Sequence, residues 1–593
     1  MERNMSQASM LLEAGKLPLP LVQDQIDTEL AQERQRLLDE AGLGNNRPQF
    51  KRPVERQFLR TERETTTILF GGLTVKHDEM IVAGMRGLGY KIERLPTPVK
   101  ADFQAGKEFG NNGQCNPTYF TVGNLVNYLK DLRDKWNVPT ENVVKNYVFV
   151  TAGACGPCRF GMYEAEFRLA LRNSGFDGFR VLLFDQGAGV DQVTEGSALE
   201  MNLSFFLVIL NALFIGDLVN EVGYHIRPYE VVPGSTDAAL AECQKMCEDA
   251  LQGRDFAGIK GNWLSRQISK RIPMLSGPDD LAKILDQLRG DTFPKLMRAC
   301  KDLLNEKVEV DYTRAKPIVK VTGEFWAQTT EGDGNFHMFR FLEGEGAQVL
   351  TEPVATWIGY MLHLAIIQFK DRGGLDKGQA PAKGMWGRMK QAWNYRFKLG
   401  IFKLGNKILE RCYTRLRAGL GNTAHALVNQ TELQKLAEPF YHSQAEGGEG
   451  YMEVGKNIYY ASKNMAHMVL SLKPFGCMPS TQSDGAQAAV TSAYPDMIFL
   501  PIETSGEGDI NAYSRTQMAL GEAKVKCKAE MQEVVARAGY PLAQIQQYAA
   551  EHKELRKPIQ EIPHQKGVIG LGAGFVLHVA SLMKAAGVQP KSV

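Results

Sequence analysis

The chain has 593 residues, too many for one ordinary core, so two to four domains are expected. Hydrophobic residues at 44% and charged residues at 23% match soluble globular proteins. Lys plus Arg (69) nearly cancels Asp plus Glu (67), leaving no bulk field to call for nucleic acid or a membrane surface.

Residues 1–64 read as a helical lead-in, QDQIDTELAQERQRLLDEAGLG, followed by an extended, Pro-broken basic linker, NNRPQFKRPVERQF. No apolar segment follows a basic start, so no secretory signal is expected. From residue 65 the pattern alternates. TTTILFGGLT (65–74) predicts a buried strand ended by paired glycines. HDEMIVAGMRGLG predicts a helix, KIERLP a strand and YFTVGNLVNYLKDLRDKW a helix. NYVFVTAG (146–153) predicts a strand, RFGMYEAEFRLALRNSG a helix and FRVLLFD (179–185) a strand. Such alternation indicates a parallel sheet covered on both faces.

A helical stretch follows from about 200 to 310. Within it, LSFFLVILNALFIGDLV (203–219) is apolar enough to raise a membrane question. It is short for a span and carries Asn211 and Asp217, both costly in lipid, so a buried core helix is expected. The β/α pattern restarts with KPIVKVTGEFWA (316–327), GNFHMFRFLEGEG and AQVLTEP. A helical segment over 354–470 interrupts it. The pattern then returns with LSLKPFGCMPS, DMIFLPIETSGEG and a long helix from 513. Near the end, VIGLGAGFVLHVASLMKAAG resembles strand, glycine turn and helix, without the acidic residue a ribose site needs.

The expected fold is therefore α/β: two doubly wound parallel-sheet units, Rossmann-like or flavodoxin-like, with a large helical insertion. The expected divisions are a lead-in (1–64), a first α/β domain (65–310), the start of a second (311–353), the insertion (354–470), the rest of the second domain (471–540) and a tail (541–593). Inside the insertion, 383–417 is basic and interleaved with aromatics. It admits a nucleic-acid or membrane-surface reading, but is expected to face solvent or an acidic partner.

There are nine cysteines, and without a signal peptide a reducing compartment is expected, so metal binding or catalysis outranks structural disulfides. Four occupy loops. Cys115 lies in GKEFGNNGQCNPTYF, Cys155 and Cys158 follow the 146–153 strand in C-G-P-C, and Cys477 sits in KPFGCMPS. Loops at the carboxyl ends of parallel strands form the ligand crevice of such sheets, so these thiols are expected on one side of the molecule. Their spacing alone leaves three readings open: an iron–sulfur cluster, a thioredoxin-like dithiol at Cys155 and Cys158, or zinc. Cys243 and Cys247, four apart on a helix, form a weaker ligand pair. Cys300, Cys412 and Cys527 stand alone in helices and read as core fillers.

Long stretches carry a resemblance: ILFGGLTVKHDEMI, LPTPVKADFQAGKEFGNNGQCNPTYFTVGNLVNYL, VTAGACGPCRFGMYEAEFRLALRNSGFDGFRVLLFDQGAG, KPFGCMPSTQSDGAQAAV and IFLPIETSGEGDINAYSRTQM. From about Phe50 to about Arg515 the chain resembles the acyl-CoA dehydratase activase-related family. That group is similar to the D-component of 2-hydroxyglutaryl-CoA dehydratase, to benzoyl-CoA reductase subunits and to double-cubane cluster proteins.

The resemblance implies a cytoplasmic, low-potential iron–sulfur protein of anaerobic metabolism. It would be fed single electrons by a separate ATP-hydrolysing activator of the actin/hexokinase-like type. In the related dehydratases that electron goes to a thioester carbonyl, and the resulting ketyl radical permits loss of water. The implied cluster ligands are Cys115, Cys155, Cys158 and Cys477, holding a 4Fe-4S or a larger double-cubane cluster. An acyl-CoA substrate and a homodimer or hetero-oligomer are further implications; nucleic acid and membrane are not expected partners. Asn116, Thr118, Ser480, Asp484, Glu503 and Glu507 are the polar residues expected near the site. No G-x-x-x-x-G-K-S/T loop occurs, so ATP hydrolysis is assigned to the partner.

Overall fold

A computed structural model describes residues 19–41, 56–153, 158–185, 197–269, 277–373, 375, 384–445 and 447–591. The chain divides into two compact units, Met1–Arg56 and Gln57–Val593. In the first, helix Leu19–Glu40 carries Arg36 between Glu33 and Glu40, at 2.6 and 2.8 Å, the one-turn spacing at which opposite charges meet.

The second unit holds two four-stranded sheets in which every strand pair is parallel. The strands are β1 (Thr67–Phe70), β2 (Ile92–Arg94), β3 (Tyr147–Gly153), β4 (Arg180–Asp185), β5 (Ile318–Gly323), β6 (Gln348–Leu350), β7 (Met468–Pro474) and β8 (Phe499–Thr504). Their spatial orders are β2-β1-β3-β4 and β6-β5-β7-β8, the same topology twice. The expected doubly wound pair is present. In each sheet the chain moves outward to one side of its first strand and returns to the other. This creates a switch point between β1 and β3, and a second between β5 and β7.

Burial explains the continuous apolar runs. Every residue of β5 and β7 is buried, because helices cover both faces of the sheet. At the second switch point the strands approach so closely that a Cβ on Gly323 would lie 2.0 Å from the Leu472 carbonyl oxygen. Only glycine fits there.

Helix Leu203–Ile226 packs in the largest apolar core. Among the described residues it belongs to the only segment, Leu203–Tyr229, long and apolar enough to cross a membrane, and 72% of its apolar window is buried. Asn211 and Asp217 are partnered inside. Asn211 exchanges 2.9 Å hydrogen bonds with Gln287, and Asp217 meets His77 at 3.0 Å while accepting the Val354 and Ala355 N–H groups at 2.6 and 2.9 Å.

Several expectations need correction. Residues 100–109 form a helix, Lys100–Phe109, where only a Gly/Asn loop was expected upstream of Cys115. The 354–470 insertion ends earlier than expected, since β7 begins at Met468. The 541–593 segment is no tail: Ile545, Phe575, Val576, Val579 and Met583 belong to the largest core. No strand precedes the C-terminal glycine run, whose Gly572 and Gly574 lie inside helix Leu571–Ala585, and the Ile569 and Gly570 N–H groups donate to Glu530 at 2.6 and 2.8 Å.

Candidate functional site

The carboxyl ends of the two sheets face each other. Past β1, the Val75 N–H donates to Glu331 at 3.1 Å, and past β2, the Lys100 N–H donates to Asp333 at 2.7 Å. Behind this junction, Phe103 and Phe120 of the first lobe pack toward Trp326 of the second, with ring centroids 5.2 and 5.5 Å apart in succession.

Cys115 sits at this junction as the last residue before helix Asn116–Asp134, followed by Pro117. Its Sγ lies 3.0 Å from the Thr118 hydroxyl and 3.1 Å from the Tyr163 hydroxyl. Cys477 holds the matching place before helix Met478–Ala493, followed by Pro479. The two loops are joined directly: the Asn116 N–H donates to the Phe475 carbonyl at 3.0 Å. Gly476, at φ 75°, lies so close that a Cβ there would sit 3.5 Å from the Cys115 Cα. Cys158 begins the short turn Arg159–Met162 and accepts the Phe160 N–H at 3.4 Å, while the Arg159 guanidinium donates to the Gly113 carbonyl. Three thiol-bearing loops, from β2–β3, β3–β4 and β7–β8, are therefore tied to one another. Each thiol stands at a helix or turn start; the Phe160 N–H points at the Cys158 sulfur, and the Thr118 and Tyr163 hydroxyls lie against that of Cys115.

Cys155 lies outside the described residues. Among the described residues, no group of three or more His, Cys, Asp and Glu side chains is arranged to hold a metal ion.

Burial controls the protonation of these groups. It pushes the Cys158 thiol up to about 12, with the Glu324 and Cys115 charges adding to the shift. Burial also raises Cys477, where Glu324 adds to the effect and Ser480 offsets part of it. Tyr163 is raised for the same leading reason. Without a nearby cation such thiols keep their protons.

Beneath Cys477 lies a set of buried charges that sequence reasoning missed. Glu324 accepts the Ala327 N–H at 2.9 Å and is pushed up to about 7 by burial. Glu449, 2% exposed, is pushed up to about 8 by burial and stands 3.6 Å from Lys456. Glu453 stands 3.5 Å from Lys473, which also pairs with Asp484. The available signal was a Glu and a Lys, three apart, inside YMEVGKNIYY, which is otherwise uncharged. Its helix, Tyr451–Ser462, is buried along nearly its whole length, so these charges have nowhere else to point.

The expected polar residues divide. Thr118 and Ser480 adjoin the thiols, and Asn116 bridges lobes through 3.5 and 3.4 Å contacts to the Gly334 carbonyl and Thr504 hydroxyl. Asp484 reaches the site through Lys473, whereas Glu503 and Glu507 are exposed. Away from the junction, Cys300 is not solitary: its sulfur lies 3.8 Å from that of Cys247, and Cys243 approaches the Cys300 carbonyl at 3.7 Å. All three are fully buried between helices Ser235–Gln252 and Thr292–Lys307.

No protein-family model matches the chain, and no curated protein matches it.

Proposed function

We propose that the chain is the iron–sulfur electron-transfer component of an ATP-dependent 2-hydroxyacyl-CoA dehydratase or reductase-like system. It would work in the cytoplasm with a separate ATP-hydrolysing activator, and Cys115, Cys155, Cys158 and Cys477 would hold the cluster. One observation carries this reading: thiols as far apart in sequence as Cys115 and Cys477 occupy loops joined by a backbone hydrogen bond at the junction of two lobes.

The donor chemistry fits a soft metal group. Buried thiols at helix and turn starts become thiolates when a cation replaces their protons, and nearby hydroxyls and N–H groups then stabilise the sulfur charge. When bound, a 4Fe-4S or double-cubane cluster supplies an electron of low potential. The protein's own share is to exclude water, through the Phe103, Phe120 and Trp326 wall, and to aim the Thr118 and Tyr163 hydroxyls at the Cys115 sulfur. A dithiol role for Cys155 and Cys158 is the weaker reading. It gives no part to Cys115 and Cys477, whose loops are joined to each other and, through Arg159, to the Cys158 turn.

Anaerobic purification with iron and acid-labile sulfide analysis tests the proposal. The wild type is expected to be brown and bleached by dithionite. Cys115→Ala, Cys158→Ala and Cys477→Ala should each lose most of the iron, and Cys412→Ala should keep it. A folded Cys115→Ala or Cys477→Ala variant with full iron content would overturn the ligand assignment.

A further inference from the structure

Helix Gly384–Gly419, 36 residues and about 54 Å long, uses only one side to join the body. Tyr395 and Phe402 pack on Phe369, with centroids 5.6 and 5.8 Å apart, and Leu409, Cys412, Tyr413 and Leu416 are buried farther along. The opposite side is apolar yet bare. Trp386 is 79% exposed, Trp393 72%, Met389 and Leu404 57% each and Phe397 53%. At about 100° per residue these five lie within roughly a quarter-turn of one another. They form a ridge diametrically across from the buried seam.

Charge flanks that ridge. Lys390, Arg396, Lys403 and Lys407 lie on its shoulders, Arg388 and Lys398 sit toward the side that meets the body, where Lys398 lies 5.9 Å from the Phe369 ring centroid, and the first acid of the helix is Glu410. The near-neutral balance of the whole chain conceals this concentration, which is why composition predicted no membrane partner.

We infer that this helix lies on the surface of an anionic phospholipid bilayer. The bilayer interface meets both halves of the pattern at once. Tryptophan rings settle at headgroup depth, apolar side chains reach the acyl boundary, and Lys and Arg on the shoulders meet lipid phosphates. Other occupants answer only half of it. A second copy would set four flanking cations against four with no acids between them. A nucleic-acid duplex would satisfy the cations and leave the ridge in water. An acidic protein would need a long groove to receive tryptophans that stand clear of their own surface. With six cations the helix lies along the interface and does not span it.

The test is co-sedimentation of the full-length protein with vesicles of equal phosphatidylglycerol and phosphatidylcholine, beside vesicles of phosphatidylcholine alone. Binding is expected to the anionic vesicles only, and to fall steeply in 0.5 M salt. Trp386→Ser with Trp393→Ser should weaken it at least ten-fold, and each cation replaced by Gln in Lys403→Gln or Lys407→Gln roughly five-fold. The substituted side chains are exposed, so thermal melting should stay unchanged and separate lost binding from lost folding. Failure to sediment with anionic vesicles overturns the inference, as does binding indifferent to the tryptophan pair. It is likewise overturned if, without vesicle binding, the protein forms a dimer, or binds an oligonucleotide or poly-glutamate, in a way that the tryptophan substitutions abolish.

Discussion

Glu449 stands in a crowded electrostatic setting. Its carboxylate accepts from Gln328 at 3.4 Å, lies near Lys456, and is buried alongside Glu453, Glu324 and Glu352. Burial is the leading cause of its raised pKa, and Lys456 opposes the shift without cancelling it. The folded protein therefore holds this proton more tightly than the unfolded chain does. The stability it contributes is complete below the ordinary glutamate value near 4.5 and is lost as the pH rises through about 8. Glu449→Gln removes the titration. The fall in unfolding free energy between pH 5 and pH 8 should then shrink by on the order of 2–4 kcal/mol, measured by urea unfolding at both pH values. An unchanged slope would mean that the proton resides elsewhere. Lys320 shows burial acting on a base: on the fully buried β5 its amine is pushed below the ordinary lysine value by burial, and Glu352 at 2.7 Å opposes the shift, while the Thr351 carbonyl accepts from it at 2.7 Å.

At the scale of elements, the site depends on turns more than on helices. Gly476 turns β7 into helix Met478–Ala493 with a left-handed backbone, against the loop that presents Cys115. Gly476→Ala is expected to cost about 1–2 kcal/mol from the backbone alone, and to lower iron content because the new methyl would crowd the Gln114 carbonyl oxygen at 3.3 Å, next to Cys115. A melt combined with iron analysis checks both. Normal iron in a destabilised variant would separate the turn from the site. Elements also account for two misread segments. Helix Lys100–Phe109 has a Gly106 that packs against Tyr119, and the GNNGQ run behind it masks its helical pattern. The C-terminal G-x-G-x-G suggests a nucleotide turn by pattern, yet Gly572 and Gly574 are helical, and the Ile569 and Gly570 N–H groups at its start are engaged by Glu530 of the neighbouring helix Asp509–Ala538.

For the whole molecule, the C-terminal segment tests which parts fold together. Ile545, Phe575, Val576, Val579 and Met583 are at most 1% exposed, and Phe575 meets Tyr312 with centroids 5.7 Å apart. Losing a single large buried side chain costs about 2–5 kcal/mol, and a domain's net stability is only about 5–15 kcal/mol. Deletion of residues 541–593 is therefore expected to leave the protein insoluble or without a cooperative melt. A soluble truncated chain with the wild-type melting temperature would contradict this. The repeated topology places two switch points across one junction, so a site there depends on both lobes.

Local pattern was enough for the strands, their alternation with helices and the strand-end positions of Cys158 and Cys477, whereas Cys115 follows helix Lys100–Phe109. A strand buried on both faces must be a short apolar run, and such runs are visible without any partner. Convergence of the Cys115 and Cys477 loops on one side was expected, but the Asn116–Phe475 hydrogen bond that joins them, the stacking of Cys300 on Cys247 and the charges held beneath the junction were not visible. Each is a contact between segments far apart in the chain, and hydrophobic periodicity reports only whether a side chain is buried, never against what. The ridge on Gly384–Gly419 shows the same division: its aromatic and basic composition is legible residue by residue, but packing against Phe369 decided which face was left bare.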